Sequence, residues 1–279
     1  MIPDLYGYME SRFTPETFMA ILHSFFDESG KFQDHRVVAF CGFGASPSQL
    51  MEFDKQWENQ LRRTGMEALH WVKARRYGKA LSRKIGPQTL EERIADLKPF
   101  ADCINDYLGV GVALSFEVHG YTSFAPQSKQ LLGGSDNPFY MQFLRTVMLL
   151  VDYAKPEEHI SMMCDENEET AWNCYLLYRK VKEVDPTAGR RLVALTFAND
   201  VYFPALQAAD MLSFLCREQA LGQFYGIDYE YHEFFRYLTK PRGSSSLEWR
   251  VAFKNEKDLK KLDKSLSKLK PKVSKKETK

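Results

Sequence analysis

The stretch Phe25-Phe26-Asp27-Glu28-Ser29-Gly30 runs an apolar, β-prone segment straight into two acids and a turn. A strand that ends in acids delivers carboxylates to the rim of a buried sheet, and Ser-Gly then reverses the chain. A second such ending stands at Ile160-Ser161-Met162-Met163-Cys164-Asp165, followed at once by Glu166. A third acid, Asp210, interrupts the apolar run from Leu206 to Cys216. Three carboxylates brought to one point repel each other, and a divalent cation relieves that repulsion. Hard oxygen ligands suit Mg²⁺ or Mn²⁺. Two such ions about 4 Å apart activate a water and stabilise the leaving oxygen in phosphodiester cleavage. Each acid also has a plainer reading, since Asp-Glu-Ser-Gly is good turn chemistry by itself.

The elements that must position these acids can be read from periodicity. Residues 1–20 are expected as an N-terminal extension. A hairpin is expected at about 21–28 and 36–44. Ser46 as N-cap and Pro47 at the first helical position open a helix that keeps Leu50, Phe53, Trp57 and Leu61 on one face. Ala68 to Val72 reads as a short strand or extended run. Leu90 to Leu108 has helical spacing, and Val110 to Val118 alternates as a strand. Phe139 to Tyr153 is apolar around most of its circumference and should be a buried helix. The strand 159–164, a helix over 170–184, a strand over 192–197 and a helix over about 204–220 complete the core. On that last helix Gln207, Asp210, Ser213 and Arg217 share one polar edge. Phe224 to Leu238 is expected as a further helix. Strands that first form hairpins and then alternate with helices give a mixed sheet flanked by helices. The resulting domain spans 21–242, with a helical insertion at about 46–108.

Composition bounds the rest. The chain has 279 residues, 44% hydrophobic and 27% charged, enough for a sizeable core. The formal net charge is +1, but eleven Lys against four acids from Lys254 onward leave the remaining body near −6. Residues 243–279 therefore read as a polar, Lys-rich tail outside the core, able to meet nucleic acid or a protein partner. Its leucines, Leu259, Leu262, Leu266 and Leu269, form a weak helical stripe. The five cysteines (41, 103, 164, 174 and 216) make no CxxC pair, which argues against structural zinc and for a reducing, cytoplasmic setting. No apolar stretch approaches the roughly 18 residues of a membrane span, and no signal peptide is expected.

Asp27-Glu28-Ser29-Gly30 near the start and Leu206-Gln207-Ala208-Ala209-Asp210 near the end resemble the paired signatures of the domain of unknown function 3800 family (DUF3800), which is grouped with the ribonuclease H-like fold. Leu69-His70 resembles a further His-containing segment of that family. The resemblance covers roughly residues 22–220. It implies a ribonuclease H-like α/β fold and metal-dependent cutting of DNA or RNA, with nucleic acid as partner. One departure stands out. The helix after the third strand offers only Asp136 before it and Asp152 at its far end, where a ribonuclease H site usually has an early acid. Glu28 or Glu166 would have to serve instead.

The expected site is thus Asp27, Asp165 and Asp210 as ligands of Mg²⁺ or Mn²⁺, with Glu28 as a fourth. His70 is either a proton shuttle or ligand near the site, or an ordinary core or surface histidine. Arg75, Arg76 and Lys79, in the basic stretch Lys73–Lys84, and Arg217 are candidate phosphate contacts, or solvated surface. Glu117 is a lesser candidate for the site. Trp57, Trp71 and Trp172 are expected in the core rather than as base-stacking platforms. A non-catalytic nucleic-acid-binding or interaction subunit of the same fold is the alternative, and a phosphatase acting on small esters a third reading.

Overall fold

β1 (Ile21–Ser29) and β2 (Val37–Ala45) form the expected hairpin, turned at Gly30 with φ +90°, a conformation other residues rarely adopt. The computed structural model describes residues 20–71, 89–131, 135–166, 168–240 and 247–267. Arg75, Arg76 and Lys79 lie outside them, as do residues 1–19 and the last twelve residues.

Ser46 and Gln49 make a reciprocal capping box at the start of α1 (Pro47–Thr64). Thr89 and Glu92 do the same for α2 (Leu90–Tyr107). Between them, Ala68–His70 has no regular structure and Trp71 is helical, so of the strand or extended run expected at 68–72 the described part forms no strand. Two side chains of a later helix take the backbone N–H groups of Leu69 and Trp71 that a strand ladder would have used.

β3 (Val110–Glu117) leads into the short helices α3 (Val118–Thr122) and α4 (Pro126–Leu131), then α5 (Phe139–Tyr153). β4 (His159–Asp165), α6 (Glu168–Val184), α7 (Pro186–Arg191) and β5 (Leu192–Ala198) follow. A 3₁₀ turn (Asp200–Tyr202) precedes α8 (Pro204–Tyr225). α8 ends at Gly226, where φ is +66°. That left-handed cap splits the expected helix 224–238, leaving α9 (His232–Thr239) separate.

The sheet is mixed and six-stranded, in the order β5-β4-β1-β2-β3 followed by β6 (Glu248–Lys254). β1, β2 and β3 are antiparallel, whereas β4 runs parallel to β1 and β5 parallel to β4. One face carries Phe43, Cys41 and Ala113 against Phe53 and Trp57 of α1, Phe100 and Ile104 of α2, and Met211 and Leu215 of α8. The other carries Phe26, Phe40, Leu114 and Met162 against Phe143 and Val147 of α5 and Cys174 and Leu177 of α6. Helices therefore cover both faces.

The tail expected from residue 243 is corrected for 248–266. β6 pairs in parallel with β3 from Val110–Glu248 to Phe116–Lys254. α10 (Glu256–Leu266) then docks through Leu259, which is fully buried. Leu259 meets α3, where Gly120 leaves room for its side chain, and Leu266 packs partly buried beside the same core, while Leu262 stays exposed. The lysines stay on the outer side of the helix.

Candidate functional site

Three neighbouring parallel strands, β1, β4 and β5, end at the same edge of the sheet. The β1–β4 register runs to Phe26 opposite Cys164, so Asp27 and Asp165 each come one residue later on adjacent strands. Asp165 pairs in turn with Ala198, two residues before Asp200. Alternation sends Phe26 and Cys164 into the α5/α6 core and turns Asp27 and Asp165 toward the opposite face, where α8 lies. Ser213 of α8 donates to the Asp27 carbonyl at 2.7 Å, which pins the helix over the strand end.

α8 presents Gln207, Asp210 and Ser213 at steps of three. Buried Gln207 accepts from Trp57 Nε1 at 2.9 Å and from Leu69 N–H at 3.0 Å through one oxygen. Its amide nitrogen donates to the carbonyls of Asp200 at 3.2 Å and Val201 at 3.4 Å. Four bonds on one side chain tie α1, the Leu69 segment and the turn after β5 to α8. One helical turn later, Asp210 Oδ2 accepts the Trp71 N–H at 2.8 Å and lies 3.0 Å from His70 Nδ1. Trp71, 1% exposed, holds the segment from behind through its contacts with Tyr231 and Phe234.

His70 Nδ1 is also 3.5 Å from Asp200 Oδ2. One ligand atom from each of His70, Asp200 and Asp210 lies within 4.8 Å of the other two, a spacing that fits a metal ion. One imidazole among carboxylates suits Mn²⁺ and its neighbours as well as Mg²⁺. Asp27 and Asp165 complete the acidic wall of a cleft of about 460 Å³, which also includes Phe214 and Arg217.

The charges in this wall strain one another. Burial pushes the Asp27 carboxyl well above the usual range, and Asp210 and Asp165 push it further. The Glu28 N–H, 2.6 Å from Asp27 Oδ1, offsets only part of this. Asp165 is raised to about 6, chiefly by burial and then by Asp200. Acids held this way favour protons or a cation over standing as free anions.

The structure thus gathers Asp27, Asp165, Asp210 and His70 at one cleft. Glu28 lines this cleft as well, and also borders a neighbouring one with Asn137, Phe139, Gln142 and Thr170. The further acid beside Asp210 is Asp200, which sequence reasoning passed over. Its signal was present, because Leu192–Phe197 is a third β-prone run that soon meets an acid. α5 brings no acid to the cleft: Asp136 pairs with Lys129 at 2.6 Å, and Asp152 lies at the other end of that helix. Glu117 does not reach the site either. It accepts from the Tyr225 hydroxyl and the Glu256 N–H, joining β3 to α8 and α10.

Arg217 lines the cleft, paired with Glu218 at 2.9 Å and stacked 4.9 Å from the Phe214 ring centroid. Gly30 leaves it space: a β-carbon there would come 3.0 Å from Arg217 Cδ. Trp57 and Trp71 are in the core as expected, whereas Trp172 is 65% exposed. It stands on the outward side of α6, whose inward side is filled by Cys174, Leu177, Tyr178 and Val181. No helix among the described residues is long and apolar enough to cross a membrane. No family model, curated protein or solved structure matches the chain.

Proposed function

We propose that the chain is a metal-dependent nuclease of ribonuclease H-like architecture, cleaving phosphodiester bonds of DNA or RNA at the Asp27–Asp165–Asp210 cleft. The observation that carries this reading is the delivery of Asp27 and Asp165 by adjacent strands, with Asp200 in the turn after the next strand, to the edge where Asp210 of α8 lies. Three antiparallel strands followed by parallel strands alternating with helices agree with that architecture. The two motifs that resemble the DUF3800 family both contribute to this cleft, one through Asp27 to Gly30 and the other through Asp210, which supports the same reading.

Asp27, Asp165 and Asp210 are the ligands in this reading, joined by Asp200 and His70. A bound Mg²⁺ or Mn²⁺ would supply a water of lowered pKa and neutralise charge on the phosphate oxygens. The protein's own part is to hold the acids on a rigid sheet edge and to fix the imidazole. His70 Nδ1 lies between Asp210 and Asp200, so it would hold the ion through that nitrogen in the tautomer that leaves Nδ1 unprotonated. Arg217, neutralised in part by Glu218, orients the phosphate more than it adds net charge.

The test is cleavage of labelled single- and double-stranded DNA and RNA with Mg²⁺, Mn²⁺ or EDTA. Activity that needs the ion and falls by about 10³ or more in Asp27→Asn is expected. Metal-independent cleavage, or no cleavage of any substrate by the wild type, overturns the reading. In the second case a non-catalytic nucleic-acid-binding subunit of the same fold is the better description.

A further inference from the structure

α6 begins directly after the Asp165–Glu166 end of β4, and its Thr170 lines the cleft. The outward side of the same helix is aromatic where a soluble helix is ordinarily polar. Trp172 is 65% exposed, Tyr175 42% and Leu176 43%. The Trp172 and Tyr175 rings lie 5.6 Å apart at an interplanar angle of 31°. One turn further, the Arg179 guanidinium stands 5.9 Å from the Tyr175 centroid, with exposed Lys180 beside it. Steps of three and four make this a ladder along one line of the helix: indole, phenol, guanidinium.

We propose that this ladder binds a single strand of nucleic acid as it leaves the cleft, with bases stacked on Trp172 and Tyr175 and phosphates at Arg179 and Lys180. Every base has a π-face, so exposed rings in series read single strands without a preferred sequence. Bases inside a duplex stack on each other and do not offer those faces. The cations decide between occupants. An apolar protein surface would bring no charge to meet Arg179 and Lys180, whereas a strand brings a phosphate with every base. Arg179 also lies 3.5 Å from the exposed Glu183 carboxylate, a weak surface pair that a phosphate can displace. The distance is short as well: one helix diameter, about 10 Å, separates the inward and outward sides of α6. A few nucleotides span it. The inference rests on the nuclease reading for the reason a strand enters the cleft, and narrows the substrate to one with a single-stranded portion.

The experiment measures binding without catalysis. Full-length protein in EDTA is titrated into fluorescein-labelled oligothymidylate and oligouridylate of twenty nucleotides, a duplex of the same length, and an abasic strand. Intrinsic tryptophan emission is followed in the same titrations. The expected result is a preference for the two base-bearing single strands, with quenching of the exposed Trp172. Trp172→Ala should weaken their binding about tenfold or more and Trp172→Phe much less. The duplex and the abasic strand should be indifferent to both. Val184→Ser, at the far end of the same outward side, is the control that changes nothing. The titrations are in EDTA, so loss of binding in Trp172→Ala is read apart from cleavage, which Asp27→Asn tests separately in the metal assay. Equal binding by Trp172→Ala and wild type, or no binding by the wild type, overturns the proposal. So does a wild type that sediments as two chains and becomes one in Trp172→Ala, which would make the face a contact between copies.

Discussion

His70 Nδ1 and Asp210 Oδ2 lie 3.0 Å apart, and the same oxygen accepts the backbone N–H of the next residue, Trp71, at 2.8 Å. The helix acid therefore fixes both the main chain and the ring of the histidine segment. Gln207, one turn earlier, does the same for Leu69 and for the turn that carries Asp200. Two side chains of α8 place the site groups that no strand holds.

This makes Gln207 a structural keystone. Gln207→Ala leaves the buried Trp57 Nε1–H and Leu69 N–H without an acceptor. Each such group costs about 1–3 kcal/mol, so a loss of roughly 2–6 kcal/mol is expected. Gln207→Glu keeps the acceptor but loses the donor to the Asp200 and Val201 carbonyls, and should fall between Ala and wild type. Urea denaturation measures both. A change under about 0.5 kcal/mol for Gln207→Ala would show that the clamp is not needed for stability.

The acidic wall sets the pH dependence of the metal-free protein. Asp165 is raised to about 6 and Asp27 is raised as well, both chiefly by burial. A folded-state pKa above the unfolded value means that the folded state binds more protons in between. The contribution is complete below the unfolded pKa of about 4 and lost as pH rises through the folded value. In EDTA, stability should therefore decline between about pH 4 and pH 6, and further as Asp27 ionises. Asp165 is only partly buried, and solvent screening leaves it about 1–2 kcal/mol of this. Asp165→Asn should remove that part of the slope. A wild type whose melting temperature rises steadily from pH 4 to pH 7 in EDTA, with Asp165→Asn following the same curve, would contradict the assignment.

The docked α10 gives a third test. Leu259 is fully buried against α3, with its side chain over Gly120. Leu259→Ala should cost about 2–4 kcal/mol, the usual price of a core leucine. Leu262, on the exposed side of the helix, should cost almost nothing when changed to Ala. Equal small losses at both positions would return α10 to the status of a tail.

The sequence made the framework legible wherever period and capping coincide. Ser46-Pro47 starts α1 as read, and the hairpin and the β3 alternation lie within a residue or two of their expected places. Asp27, Asp165 and Asp210 could be found because strand ends and an acid in an apolar helix are local patterns. Asp200 was harder to see, since only the β4–β5 register places it beside them. Glu28 follows Asp27 at the same strand end and lines the same cleft, as adjacency in the sequence suggests. β6 and α10 were hidden because seven alternating residues on an edge, then a Lys-rich helix, bury little more than Leu259. Trp172 was assigned to the core on residue type alone, and type does not say which side of α6 faces outward.

Asp27→Asn separates the cost of the acidic cleft from its use. Asp27 is 7% exposed and has Asp210 and Asp165 as near anions, so its charge opposes folding whenever no cation is bound. The amide keeps the shape and removes that opposition. At pH 7 in EDTA the variant should melt at or above the wild type; each 1 kcal/mol gained raises Tm by roughly 2–4 °C in a chain of this size. Mn²⁺ should reverse the order. An ion that binds only the folded state stabilises it by about 2.7 kcal/mol at one hundred times its Kd, and the wild type should gain this while Asp27→Asn gains little. Asp200→Asn serves as the comparison. If the ion sits between His70, Asp200 and Asp210 alone, Asp200→Asn loses the Mn²⁺ shift and Asp27→Asn keeps it. If it is shared with the strand ends, both lose it. Differential scanning fluorimetry of the three proteins, with and without Mn²⁺, reads all of these outcomes. A wild type with no Mn²⁺ shift at all would leave the raised carboxyl of Asp27 to be explained by protons alone, and the metal reading would fall.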